Sequence, residues 1–146
     1  MKIYVASSWR NERQQDVVKA LRDAGHEVYD FKNPRPDHHG FHWSEIDPNW
    51  KDWTQRAYRD SLSHPIAERG FRSDFEAMQR ADAFIGVMPF GRSASMEMGW
   101  AAGQGKLTVL LLAPGEPELM VKMFRKICLN IEELKAYLLC EELIIG

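Results

Sequence analysis

One stretch constrains this chain more than any other. Ala83-Phe84-Ile85-Gly86-Val87-Met88 is an apolar run after Asp82, followed by Pro89-Phe90-Gly91-Arg92 and then by Ser93 to Lys106. Short, continuous apolar runs mark strands buried in a parallel sheet. Pro89 cannot continue a ladder, and Gly91 supplies a turn. Ser93 is suited to cap a helix, its hydroxyl accepting a free backbone N–H of the first turn. Ala94, Met98, Ala101 and Gly105 then recur at helical spacing and form the face that packs on the sheet. Gly103 and Gly105 end the helix before the next apolar run, Leu107 to Leu112.

This reading puts Glu97 in the first turn of the helix, where the partial charge of the helix N-terminus favours an ionised carboxylate by about 0.3–1 kcal/mol. That end of the helix is the carboxyl edge of the sheet, where open α/β sheets bind ligands. A carboxylate so placed is either an ordinary helix-start acid or a nucleophile. The rest of the chain has to decide.

Lys2 to Ala6 reads as a first strand, and Ser7 to Arg13 as the loop after it. A helix follows to about Ala24, with Val17, Val18, Leu21 and Ala24 on one face and Gly25 as its stop. His26 to Phe31 is a second strand, and β-α-β spacing requires a parallel sheet with a right-handed crossover. Residues 32–65 break the rhythm with prolines, tryptophans and histidines, and read as an insertion or lid. Trp43, Trp50 and Trp53 there either pack the insertion or meet a ligand. His38, His39 and His42 fit no zinc spacing, so no metal is expected. Ile66 to Ala81 is helical, with Phe71, Phe75, Met78 and Ala81 as its buried stripe. Ser73 and Glu76 have capping-box spacing, which would place Asp74 at a helix start near the same sheet edge. Leu107–Leu112 is a buried strand, Met123–Cys128 a short last strand, and Asn130 caps a final helix from Ile131 to Leu139.

Residues 1–146 therefore read as a single α/β domain: a flavodoxin-like three-layer sandwich with a five-stranded parallel sheet of order 2-1-3-4-5. In that order, strands 1 and 3 are neighbours and their outgoing loops flank the binding crevice. A net charge of −2 and a pI near 6.2 argue against nucleic acid as a partner. Cys128 and Cys140 lack CxxC spacing and read as reduced thiols. No apolar run approaches the about 18 residues of a membrane span, so a cytoplasmic protein without a membrane partner is expected.

Three groups of residues carry a resemblance. Ile3-Tyr4-Val5-Ala6-Ser7-Ser8-Trp9-Arg10, Asp74 ahead of Ala81-Asp82, and Met96-Glu97-Met98-Gly99-Trp100-Ala101 with Gly105-Lys106 resemble the nucleoside 2-deoxyribosyltransferase superfamily, which includes the 2'-deoxynucleoside 5'-monophosphate N-glycosidases. The likeness covers roughly residues 2–31 and 70–138. It implies displacement at C1' of a sugar, with Glu97 as the nucleophile, Tyr4 orienting it, and Asp74 meeting the sugar hydroxyl or the leaving base, in the manner of retaining glycosidases. It implies no cofactor.

The monophosphate glycosidases read Gly-Ser-x-Arg in the first loop, where serine and arginine hold the 5'-phosphate. The matching residues here are Ser7-Ser8-Trp9-Arg10, with Arg13 close behind and Arg92 and Ser93 available on the other side, and such a loop is physically an anion site. The chain departs from the family at Gly91, where the transferases have Asp and the glycosidases Ser. A carboxylate for the base would then come from elsewhere, such as Glu45 or Asp47. Gly91 itself stays among the expected substrate-binding positions, with Trp43.

The expected activity is hydrolysis of the N-glycosidic bond of a nucleoside 5'-monophosphate. The alternatives are base exchange by a nucleoside 2-deoxyribosyltransferase, a non-catalytic nucleotide-binding module and, more remotely, a TIR-like NAD glycohydrolase. The family usually completes its site across a subunit interface. Met120, Val121, Met123 and Phe124, with Leu138, Leu139, Leu143, Ile144 and Ile145, offer apolar surface for a homodimer or larger assembly.

Overall fold

Alternation along the central strands sorts the apolar residues into two sets. In β1 (Lys2–Ala6) and β3 (Ala83–Val87), the odd-numbered Ile3, Val5, Ala83, Ile85 and Val87 belong to one core. That core also holds Val17, Val18 and Leu21 of α1 (Arg13–Asp23) and Leu134 and Leu138 of α5 (Ile131–Ile145). The even-numbered Phe84 and Gly86 face the other way, toward α4 (Arg92–Gly103). The rings of Phe84 and Trp100 lie 6.0 Å apart, and a Cβ on Gly86 would stand 3.1 Å from Met98 Cε. The two-residue period of a strand requires this division. The sheet thus lies between two helical layers.

The computed structural model describes residues 1–145; Gly146 and the side chain of Ile145 lie outside the described residues. β2 (Glu27–Asp30), β4 (Leu107–Leu111) and β5 (Lys126–Cys128) complete a five-stranded sheet of order β2-β1-β3-β4-β5. Every pairing in it is parallel. This is the expected flavodoxin-like order, and it makes β1 and β3 neighbours. α1 and α4 stop in the same way. Gly25 and Gly105 take φ of 94° and 73°, which glycine adopts at little cost. The next N–H can then turn back, from His26 to Leu21 O and from Lys106 to Ala101 O, each at 3.1 Å.

Met1–Asp30 together with Arg80 onward form one compact unit, and Phe31–Gln79 form a second. The second unit holds single 3-10 turns at Trp43–Glu45 and Trp50–Asp52, α2 (Gln55–Ser61) and nearly all of α3 (Pro65–Arg80). Thr54 caps α2, its hydroxyl accepting the Ala57 N–H at 3.1 Å.

Six sequence expectations need correction. α4 begins at Arg92, with Gly91 as its N-cap in an extended conformation, so Ser93 is a helical residue and not the cap. The ladder starts where Ser95 N–H donates to Gly91 O at 3.2 Å. Glu97 therefore lies in the second turn, beyond the reach of most of the helix-end charge. α3 runs unbroken from Pro65, a residue well suited to a first helical position, so Ser73 and Asp74 are mid-helix. The buried residues of α3 are Ala67, Ala77 and Met78, whereas Phe71 is 63% exposed and stacks along the helix on Phe75 at 5.2 Å. Ala24 is the exposed C-cap of α1 rather than part of its buried face. α5 also continues well past Leu139. Of the C-terminal apolar residues, Leu138 is in the core while Leu139, Leu143 and Ile144 are exposed, as are Met120 and Met123.

Gly70, inside α3, gives a stability test. Alanine in a helix interior ordinarily gains up to about 1 kcal/mol over glycine. Here an added Cβ would stand 2.9 Å from Phe41 Cβ. Gly70→Ala is therefore expected to destabilise the protein by about 1–3 kcal/mol through overpacking. A thermal melt at or above the wild-type midpoint would show that Phe41 yields at no cost.

Candidate active site

Tyr4 is fully buried in the sheet, and its neighbours in register are Tyr29 on β2 and Phe84 on β3. The Tyr29 ring stacks on it at 5.5 Å with planes 12° apart, and Phe84 lies against it at 5.1 Å. Three aromatic residues opposite one another on neighbouring strands leave the Tyr4 ring little freedom. The Tyr4 hydroxyl donates a hydrogen bond to Glu97 Oε2. Glu97 is half-buried on α4, one turn of helix before the core residue Ala101. A fixed O–H donor favours the ionised carboxylate and holds its orientation. The Glu97 carboxylate is thus oriented by a side chain on β1.

The loops leaving β1 and β3 are joined beside this pair. Ser7 is buried and donates to Val87 O at 2.8 Å. Ser8 Oγ accepts the Arg10 N–H at 3.2 Å, which folds the loop back and leaves the Arg10 side chain exposed. Arg92 and Ser93 open α4 on the exposed side, directly after Gly91. The unit thus brings Ser8, Arg10, Arg92 and Ser93 onto the two loops that flank the β1/β3 switch point, the general location of ligands in such sheets. Trp9, also in the first loop, is 43% exposed. Arg13, next in the sequence to these loop residues, is turned inward: its Nη1 lies 2.8 Å from Met88 O and 3.2 Å from Leu112 O.

The second unit holds a cavity of about 260 Å³ that sequence reasoning did not find. Asp74, Ser73, Glu45, Arg35, Arg69 and His38 bring polar groups to it, and Phe31 and Phe41 bring rings. The insertion carboxylates separate here. Asp47 accepts the Asn49 N–H and the Trp53 indole N–H at 2.9 and 2.7 Å, and these bonds hold its pKa below the ordinary value. Glu45 lines the cavity, with one oxygen accepting the His42 N–H at 2.9 Å. Trp43 is the hub of an aromatic cluster, edge-on to Phe41, Trp53 and Tyr58 at 4.7, 5.5 and 5.8 Å. The histidines have local backbone roles as well: His38 Nδ1 accepts the Gly40 N–H at 3.0 Å, and the His42 side chain is half of a capping box. The signal for the cavity was present in part, since Gly40 and Gly70 remove bulk at its wall.

No family model matches the chain. No curated protein matches it either. Solved structures do. A 2-deoxyribosyltransferase from Bacillus psychrosaccharolyticus is similar over 92% of this chain and 90% of its own, with 21% identity and a TM-score of 0.64. A Clostridium botulinum CMP N-glycosidase is similar over 94% of this chain and 98% of its own, with 20% identity and a TM-score of 0.52. At such identities the likeness is one of architecture, and it spans nearly the whole of each chain. The protein thus has the fold that a 2-deoxyribosyltransferase and a CMP N-glycosidase share.

Proposed function

We propose that this protein is an enzyme that cleaves the N-glycosidic bond of a (deoxy)nucleoside 5'-monophosphate. The observation that carries the reading is the bond from the buried Tyr4 hydroxyl to Glu97, at the switch point of a sheet whose fold is shared by two enzymes of N-glycoside chemistry. In the first step a Glu97 oxygen attacks C1', a C–O ester bond forms, the C–N bond breaks, and the base leaves with the electron pair and takes up a proton. In the second step water attacks C1', Glu97 leaves as carboxylate, and the sugar phosphate is released with a free 1'-hydroxyl. Ser8 and Arg10, with Arg92 and Ser93, hold the phosphate through charge-assisted bonds and the N-terminus of α4.

The test is to incubate the protein with ribo- and deoxyribonucleosides and their 5'-monophosphates, with and without a second free base, and to measure released base. Release from monophosphates without an added base supports hydrolysis. Release that requires a second base replaces it with base exchange. Arg10→Ala is expected to weaken use of monophosphates by about 10- to 100-fold, the worth of one charged hydrogen-bonding pair, while leaving nucleosides nearly unaffected. Equal losses on both substrates would remove the phosphate from the reading. A homodimer or larger assembly belongs to the same proposal, supported by exposed Met120, Met123, Leu139, Leu143 and Ile144. Light scattering should then give at least twice the 16.9 kDa chain mass, and a monomer with full turnover would dismiss it.

A further inference from the structure

We infer that Asn11, together with Arg13, is a positioning residue that sets the distance between the two loops of the phosphate site; this rests on the reading of those loops given above. Asn11 is 5% exposed, and its amide nitrogen lies 2.9 Å from Ser7 Oγ, 2.9 Å from Val87 O and 3.1 Å from Pro89 O. Two hydrogens are thus shared among three acceptors, two of which are carbonyls at the exit of β3. Its Oδ1 accepts the Arg13 N–H at 2.9 Å, at the first residue of α1. Its own N–H donates to Ser8 O at 3.1 Å, and so closes the turn that carries Trp9 and Arg10. One buried amide therefore holds the β1 loop, the start of α1 and the β3 loop.

Arg13 extends the clip. Its guanidinium donates to Met88 O and to Leu112 O, the residue just beyond β4. The carboxyl ends of β1, β3 and β4 are thereby tied by two side chains, one buried and one half-buried. An anion held from both loops feels any change in their spacing directly, and a displacement of about 1 Å can cost on the order of 100-fold. Glu97 is held separately, by Tyr4. Loosening the clip should therefore affect phosphate binding and spare the chemical step.

The experiment uses the full chain with Asn11→Ala, Asn11→Asp and Arg13→Met. Binding of ribose 5-phosphate is measured by calorimetry, and KM and kcat are measured for the preferred monophosphate and its nucleoside. Asn11→Asp replaces two donors with an oxygen facing two carbonyls and should be the more severe change at that position. The expected result is a rise of about 10- to 100-fold in Kd and in monophosphate KM, with kcat and nucleoside use within about threefold. A parallel fall of kcat on both substrates, or no change in Kd for the variants, overturns the clip. If the Asn11 variants do not fold, the half-buried Arg13→Met variant decides the matter by the same readings. If the wild-type protein binds no sugar phosphate, the phosphate reading fails and takes the clip with it. Wild-type binding that the variants match brings down the clip alone.

Discussion

Glu97→Gln is expected to lower base release by at least about 1,000-fold, or about 4 kcal/mol of barrier, with the fold intact. Glutamine has nearly the same shape and can still accept the Tyr4 hydrogen bond through its amide oxygen, so the aromatic layer beneath it is not disturbed. It lacks the negative charge that attacks C1'. Glu97→Ala should remove as much activity and also leave the Tyr4 hydroxyl without this acceptor. The measurement is release of free base at saturating monophosphate, with a circular-dichroism melt as the check on folding. Activity within about tenfold of wild type in Glu97→Gln, roughly 1.4 kcal/mol, would remove Glu97 from the nucleophile's role.

The sheet was legible because its signals are local and redundant. Ile3 to Ala6, Ala83 to Val87 and Leu107 to Leu111 are apolar runs bounded by Gly, Pro or charge, and Gly25 and Gly105 stop their helices through backbone geometry that few other residues adopt. The errors arose where a good local signal met a stronger competitor. Ser93 is a fitting cap residue, but Gly91, already extended, offers its carbonyl to Ser95 and starts the helix earlier. Ser73 and Glu76 have the spacing of a capping box, but a box needs an extended residue at its head, and Pro65 with His64 before it starts the ladder upstream. Of the candidate site, the position of Glu97 followed from the pattern of β3 and α4, whereas Tyr4 stood out only through the family likeness. Asn11 left no trace, and Arg13 stood out only as a further cation of the first loop, because their partners are carbonyl oxygens of residues distant in sequence, and a carbonyl is the same on every residue. The cavity of the second unit was hidden for a related reason: its wall joins Phe31 to Glu45 with Ile66 to Asp74, and no periodicity links those segments.

Tyr4 separates what holds the sheet from what drives the chemistry, and two substitutions should show the difference. Its ring fills a fully buried position between Tyr29 and Phe84, so Tyr4→Ala removes a large side chain from the sheet and should cost about 3–5 kcal/mol of stability. Tyr4→Phe keeps the ring, its stacking and nearly all its volume. It removes one hydroxyl whose partner, Glu97, is half-buried and in contact with water, so the loss of stability should be no more than about 1.5 kcal/mol. Its effect on rate should be larger. Without the hydroxyl, Glu97 loses the donor that aims it and steadies its charge, and a positioned hydrogen bond of this kind is worth about 10- to 100-fold. The loss should fall on kcat rather than on KM, because the bond is made to the nucleophile and not to the substrate. Denaturant melts and steady-state kinetics on the two variants test this together. A Tyr4→Phe enzyme with wild-type kcat would show that the aromatic layer and α4 place Glu97 unaided, and would reduce Tyr4 to a packing residue.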